Sequence, residues 1–131
     1  MWGLMRVLAY VVAVIFAVSG LAKVIAPSSG VWLPERFGTV LGLVELSVAI
    51  ALVAAPTCAR VLTVALAFSS VLLLGLVILQ HAGVPASECG CFGRWLAIRG
   101  YPGHYLLHGF ILFVLSAVLA RHSAGSNDTP R

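Results

Sequence analysis

The stretch VLTVALAFSSVLLLGLVIL, residues 61–79, decides the fold class of this chain because its 19 residues include no charged side chain. A run of about 17–25 apolar residues can cross the hydrocarbon core of a bilayer as a helix. In hydrocarbon, every backbone N–H and C=O group must be hydrogen-bonded within the protein, so such a run must be helical. Residues 61–79 therefore predict a transmembrane helix.

Three further apolar runs predict an all-α integral membrane bundle of four helices. The runs occupy residues 7–22, 39–55 and 105–120. Extended to their polar flanks, the four helices are predicted at about 4–25, 37–55, 60–80 and 104–121, in one domain of residues 1–121. An even number of spans puts both termini on the same side, and residues 122–131 form a short polar tail. The first run could be mistaken for a signal peptide, but its length and small residues favour a retained helix.

Composition and charge exclude a soluble domain and a nucleic-acid binder. The chain is 61% hydrophobic and 9% charged, whereas soluble domains are about 45–50% apolar and about 25% charged. Its basic residues are scattered, while nucleic-acid binding needs a dense basic face.

The orientation of the bundle in the membrane does not follow from charge. The side with more basic loop residues normally faces the cytoplasm, but here each side has four. They are Arg6, Arg60, Arg121 and Arg131 on one side, and Lys23, Arg36, Arg94 and Arg99 on the other.

The motif CGCFG, residues 89–93, places two thiols in the long connection between the third and fourth helices. In an extended chain, Cα atoms two residues apart are separated by roughly 6.5–7 Å, whereas a disulfide prefers about 5.5–6 Å. A bond between Cys89 and Cys91 therefore requires a turn at Gly90, and such a small ring is strained. Strained, exposed disulfides are the labile or catalytic kind. Arg94 would favour the reactive thiolate, while Glu88 would oppose it.

Other interpretations of these thiols stay open. Cys89 and Cys91 could bind zinc or copper(I) together with His104 and His108, which share a helix face at positions i and i+4. The two histidines by themselves are weak evidence for a metal, and the favoured interpretation places them at the membrane interface, at the start of the fourth helix. The Cys-x-Cys spacing is tighter than usual for zinc. Cys58 lies in the short link on the opposite side of the membrane, where we expect it to act as a small apolar residue.

Two charged residues lie within or beside the apolar runs. A charge at membrane depth costs at least about 2.5–3.5 kcal/mol, so Glu45 should face the bundle interior and have a partner. Lys23 ends the first helix on the side where the second helix begins, which makes it the natural partner. The pair could be a polar anchor or proton site beside the thiols, or an ion pair that only sets helix register. Alternatively, Glu45 could be neutral.

In order along the chain, these features resemble the MauE (methylamine-utilisation) branch of the DoxX-like membrane proteins. The resemblance rests on the stretch 20–23 (GLAK) at the end of the first helix, Glu45 in the second helix and CGCFG before the fourth, and it spans the whole chain. It implies a multi-pass protein of the bacterial cytoplasmic membrane, with CGCFG outside and the tail in the cytoplasm. It also implies a redox role for Cys89 and Cys91. Relatives often carry an arginine early in the fourth helix, where this chain offers His104 and His108.

The leading hypothesis is a membrane thiol–disulfide redox protein, a candidate oxidoreductase. The resemblance implies a thioredoxin-like partner, and exported disulfide-containing proteins as substrates. Electrons would pass to or from that partner or, as a second option, a quinone bound in the bundle. Two alternatives belong to other classes. One is a protein that handles zinc or copper, and the other is a non-catalytic membrane subunit that recruits an oxidoreductase.

Overall fold

The computed structural model describes residues 2–26, 34–85 and 100–126 and contains four long α-helices. They are α1 (Trp2–Ile25), α2 (Glu35–Ala54), α3 (Ala59–His81) and α4 (Tyr101–Ser126). The described residues include no β-strand. The prediction of an all-α four-helix membrane bundle is confirmed.

The ends of the helices lie close to those that the sequence predicts, with one larger difference. Seven of the eight ends agree within three residues, whereas α4 continues to Ser126 instead of ending near residue 121. Residues 122–126, assigned to the polar tail from the sequence, therefore belong to the last turns of α4. The sequence HSAGS at 122–126 lacks the large apolar side chains of a membrane span, but small and polar residues can still extend an existing helix.

The four helices run up and down, so the start of α1 and the end of α4 lie at one end of the bundle. The most extensive contacts join α1 to α2 and α3 to α4, and the contacts of α1 with α4 and of α2 with α3 are smaller. Leu4 and Leu8 near the start of α1 lie beside Ala117 and Arg121 near the end of α4. We call this the terminal end, and the opposite end, where α3 stops and α4 begins, the loop end.

All four helices are long and apolar enough to cross a membrane, over Gly3–Ile25, Arg36–Ala54, Ala59–His81 and Tyr101–Ser123. Large apolar side chains also point outwards, among them Ile50, Leu106 and Phe113, which are 69–76% exposed. Such side chains are stable on a surface that faces lipid. The interior is apolar as well, and its core comprises Val12, Ala13, Phe16, Ala49, Leu52, Leu62, Ala65, Ile111, Val114, Leu115 and Val118.

Helices α1 and α2 approach each other closely at two glycines. A Cβ atom added to Gly20 would lie 2.6 Å from the backbone oxygen of Gly42, and one added to Gly42 would lie 2.7 Å from the backbone oxygen of Gly20. Helix interfaces in membranes are rich in small residues because close packing, rather than hydrophobic burial, drives their association. The two glycines therefore set the short distance between α1 and α2, one turn from the charged residues described next.

Candidate functional site

The charged centre of the bundle is an ion pair between Lys23 of α1 and Glu45 of α2. The ammonium Nζ of Lys23 donates to both carboxylate oxygens of Glu45, at 2.6 and 2.7 Å, and to the hydroxyl oxygen of Ser19 at 2.8 Å. Lys23 is 1% exposed and Glu45 is 2% exposed. The structure therefore contains the ion pair that the sequence predicted, and it is fully buried.

The antiparallel arrangement of α1 and α2 explains why these side chains meet. A helical Cα–Cβ bond tilts toward the N-terminus of its own helix. Lys23 therefore leans from the loop end into the membrane, toward Ser19 one turn earlier, while Glu45 leans out toward the loop end. The close approach at Gly20 and Gly42 lets the two side chains bond directly. Lys23 can thus satisfy a carboxylate that starts ten residues into α2.

A small cavity lies beside the ion pair. Its volume is about 20 Å³, and a volume of roughly 10–15 Å³ is enough to hold one water molecule. Four residues with polar side chains line it: Ser19, Lys23, Glu45 and His108. The remaining walls are apolar and consist of Ile15, Phe16, Leu41, Leu72 and Ile111. Residues of all four helices therefore border the cavity, and its polar side chains lie within an otherwise apolar core.

The two histidines of α4 point into the bundle. His104 is 2% exposed and His108 is 5% exposed. His108 lines the cavity and lies close enough to Lys23 and His104 to interact with both electrostatically. His104 is one helical turn nearer the loop end. The structure thus brings Lys23, Glu45 and the two histidines together at the same side of the bundle core.

Hydrogen bonds hold the two ends of the α3–α4 connection at the loop end. Helix α3 ends in a turn in which Gly83 has a φ of +75° and the N–H of Val84 donates to the carbonyl of Leu79, the pattern of a Schellman cap. The Tyr101 hydroxyl donates to the Val84 carbonyl at 2.5 Å. The Tyr105 hydroxyl also contacts Gln80 of α3. The connection therefore leaves and re-enters the bundle next to the buried polar cluster.

Three of the predicted site residues, Cys89, Cys91 and Arg94, lie outside the described residues. Cys58 is described and is exposed at the terminal end, immediately before α3. The backbone N–H groups of Val61 and then Arg60 hold the pKa of the Cys58 thiol below its ordinary value, although the side chain closes no capping hydrogen bond. Cys58 thus lies at the opposite end of the bundle from the histidines.

Two features of the site were not assigned a role from the sequence. Ser19 accepts a hydrogen bond from Lys23, and Gly42 receives the α1 backbone beside the ion pair. The i, i+4 spacing of Ser19 and Lys23 could have indicated the first contact, since such residues share a helix face. The pairing of Gly42 with Gly20 depends on the register between two helices, which no local pattern specifies.

Within the described part of the chain, no group of three or more His, Cys, Asp and Glu side chains could hold a metal ion. At the cavity, the Lys23 ammonium is already paired with both oxygens of the Glu45 carboxylate, so this carboxylate is engaged beside His108. The described part of the site is consequently suited to hydrogen bonding and charge pairing. It offers no ready cation site.

The fold and this cluster define a class: a multi-pass, four-helix membrane protein with a buried ion pair beneath the loop end. Comparison with known proteins adds nothing to that class, because no family model, curated protein or solved structure matches the chain.

Proposed function

We propose that this chain is a membrane thiol–disulfide redox protein in which Cys89 and Cys91 form the redox pair. It would support disulfide formation or reduction in exported proteins, together with a thioredoxin-like partner. The resemblance to the MauE branch of the DoxX-like proteins suggests both the partner and the substrates. The proposal is restricted to two-electron thiol chemistry, for which this chain carries the necessary pair of thiols in its sequence.

One observation carries the proposal beyond the motif. The connection that contains CGCFG is anchored through Tyr101 and Val84 at the bundle end where Lys23, Glu45 and His104 are buried. Burying an ion pair in a membrane core is costly, and such residues usually mark a functional site. A fixed polar cluster at the end where the thiol-bearing connection is anchored is the arrangement expected if that connection must meet a partner in a defined position.

The proposed exchange transfers two electrons between two pairs of cysteines, one in this chain and one in the partner. A thiolate at Cys89 or Cys91 attacks the disulfide of the thioredoxin-like partner and forms a mixed disulfide while one partner thiolate leaves. The second cysteine then attacks its neighbour's sulfur, which closes the Cys89–Cys91 bond and releases the partner as a dithiol. Two electrons pass to the partner in this direction. The reverse steps return them, and the relative reduction potentials set the net direction.

Lys23 and Glu45 act in this proposal as positioning residues. Because an ammonium and a carboxylate in direct contact have no net charge, the pair contributes little long-range attraction for a thiolate. Its contribution is mechanical: it fixes α1 against α2, and His108 extends the polar contact surface to α4. Positive charge near the thiols would instead come from Arg94, next to the motif.

The redox state of the pair in its native membrane tests the proposal. In a Cys58→Ala variant, free thiols are trapped with a mass-tagged maleimide, with and without prior reduction. Mixed-disulfide trapping with Cys89→Ser and Cys91→Ser follows in the same background. We expect one of the two serine variants to accumulate a covalent complex with a thioredoxin-like protein. If neither variant alters the disulfide status of any exported protein, the redox proposal is wrong.

The non-catalytic alternative gives a different pattern in the same cells. If the chain only recruits an oxidoreductase, the cysteine variants assemble the complex and keep its activity. Changes at Lys23 or Glu45, such as Lys23→Met, would then disrupt assembly. For the redox protein, by contrast, Cys89→Ser loses activity while the folded chain remains in the membrane.

The proposed location is the bacterial cytoplasmic membrane, with CGCFG outside and the terminal end in the cytoplasm. Cys58 provides an internal control because it is exposed at the terminal end. A membrane-impermeant maleimide applied to intact cells after reduction should label Cys89 and Cys91 and leave Cys58 unlabelled until the membrane is opened. Labelling of Cys58 alone in intact cells would invert this orientation.

A further inference from the structure

An open groove separates α2 from α3 at the terminal end. Its volume is about 390 Å³, within the range of roughly 300–1,000 Å³ typical of small-molecule sites. The groove is lined by Val44, Ser47, Val48, Ala51, Arg60, Val61 and Val64. It exists because the facing side chains of both helices are short and because α2 and α3 contact each other little. With a rise of 1.5 Å per residue, its length along α2 is about 10 Å.

The groove has apolar walls along most of its length and one charged residue at its outer end. Arg60 is the second residue of α3 and is exposed, whereas Val48 and Val61 deeper in the groove are half-buried. Ser47, the other polar residue of the lining, donates its hydroxyl proton to the Leu43 carbonyl. The groove therefore presents apolar walls to hydrocarbon and a guanidinium group at the membrane surface.

The charges of the terminal end favour an anionic occupant. Its described side chains include Arg6, Arg60 and Arg121, and none of its described side chains is a carboxylate. A second groove, of about 160 Å³ between α1 and α4, repeats the pattern, with Arg121 at its outer end and Leu4, Leu8 and other apolar residues along it. Both grooves have their arginine at the terminal end, so an anionic occupant of either groove would lie in the membrane leaflet at that end.

We propose that the α2–α3 groove is a binding site for an anionic phospholipid, whose phosphate pairs with Arg60 and whose acyl chain lies between α2 and α3. Arg binds phosphate groups through charge-assisted and often bidentate hydrogen bonds. The acyl chain would cover the valine walls that the weak α2–α3 contact leaves open. The site is independent of the thiol pair, which belongs to the opposite end of the bundle in the proposed function.

Native mass spectrometry of the full chain, delipidated and re-supplied with phosphatidylglycerol or phosphatidylcholine, tests the charged end of the site. We expect the wild-type chain to retain phosphatidylglycerol preferentially. Arg60→Gln should reduce that preference about tenfold or more, corresponding to about 1.5 kcal/mol for one hydrogen bond to a charged group. Arg6→Gln is the matched control, because it removes the same charge at the same end and Arg6 does not line the α2–α3 groove. Equal losses for both variants would overturn the proposal.

A second pair of variants tests the channel. Ala51→Phe fills the groove and should abolish retention of the tightly held lipid, whereas Ala67→Phe adds the same bulk to an exposed position of α3 outside the groove and should not. Circular dichroism verifies that each variant keeps its helix content. Two other results would overturn the lipid assignment. If Ala51→Phe changes only the dimer fraction in analytical ultracentrifugation, the groove is an interface with a second copy of the chain. If wild type and Arg60→Gln retain a neutral quinone equally, the occupant is not selected by charge.

Discussion

Substitution of Gly42 by alanine tests whether the close approach of α1 and α2 holds the site together. The added Cβ would lie 2.7 Å from the backbone oxygen of Gly20, 2.9 Å from Cβ of Lys23 and 3.1 Å from Cγ2 of Val24. The first of these atoms belongs to the backbone, so no rotamer change can relieve the contact. An ordinary contact begins near 3.4 Å, so the helices must separate locally by about 0.7 Å.

The energetic cost can be isolated with Gly38→Ala, one turn earlier in α2. A Cβ added at Gly38 meets nothing within 4 Å. Both substitutions gain the same helix propensity, about 0.8–1.0 kcal/mol in soluble hosts, so this gain cancels in the comparison. Overpacking typically costs about 1–3 kcal/mol. Gly42→Ala should therefore be less stable than Gly38→Ala by about 1–3 kcal/mol.

The measurement is reversible unfolding in mixed micelles by increasing sodium dodecyl sulfate, followed by far-ultraviolet circular dichroism. The same shift should lengthen the 2.6 Å contact between Lys23 and Glu45, so Gly42→Ala should also weaken the energetic coupling of that pair. Equal free energies of unfolding for Gly42→Ala and Gly38→Ala would refute the reasoning. The glycine contact would then contribute nothing to the packing of α1 against α2.

Two further predictions concern charged and titratable groups. Lys23→Met and Glu45→Gln should each lower the free energy of unfolding by about 3–5 kcal/mol, because each leaves a buried charge without its partner. The double variant should lose much less than the sum, and additive losses would show that the two residues do not interact. At the other end, the N–H groups of Val61 and Arg60 lower the pKa of the Cys58 thiol. Iodoacetamide should therefore alkylate folded Cys58 with a midpoint at lower pH than in the denatured chain, as measured by peptide mapping, and identical midpoints would contradict this effect.

The membrane helices and the ion pair could be predicted from the sequence, because each avoids a large unfavourable free energy that other residues could not offset. An apolar run such as residues 61–79 has few alternatives to a membrane helix, since lipid cannot bond to an open backbone. The partnership of Lys23 and Glu45 followed for the same reason, because few groups in this chain could compensate a carboxylate at that depth. The last turns of α4 were not predicted, because extending an existing helix changes the free energy by only about 1 kcal/mol or less per residue, and no apolar pattern marks these positions.

For the thiol motif, the sequence predicts the chemistry but not the partner. CGCFG predicts thiol–disulfide chemistry, because a bond between Cys89 and Cys91 would need a turn at Gly90, but the motif lies outside the described residues, and its chemistry stays a prediction. The sequence also puts the motif between two helices whose ends the structure describes. The proposed partner and the proposed direction of electron flow could not be predicted, because both would depend on the surfaces and reduction potentials of other proteins.

By itself, the sequence determined the four membrane helices, their up-and-down order and the buried ion pair. These depend on hydrophobicity, chain length and the high cost of burying charge, which are properties of local sequence. The tertiary structure alone decided that Gly20 meets Gly42, that Ser19 and His108 join one water-sized cavity, and that an open groove runs beside Arg60. Those features depend on the register and spacing of helices distant in sequence, which are set by the packing of many side chains at once.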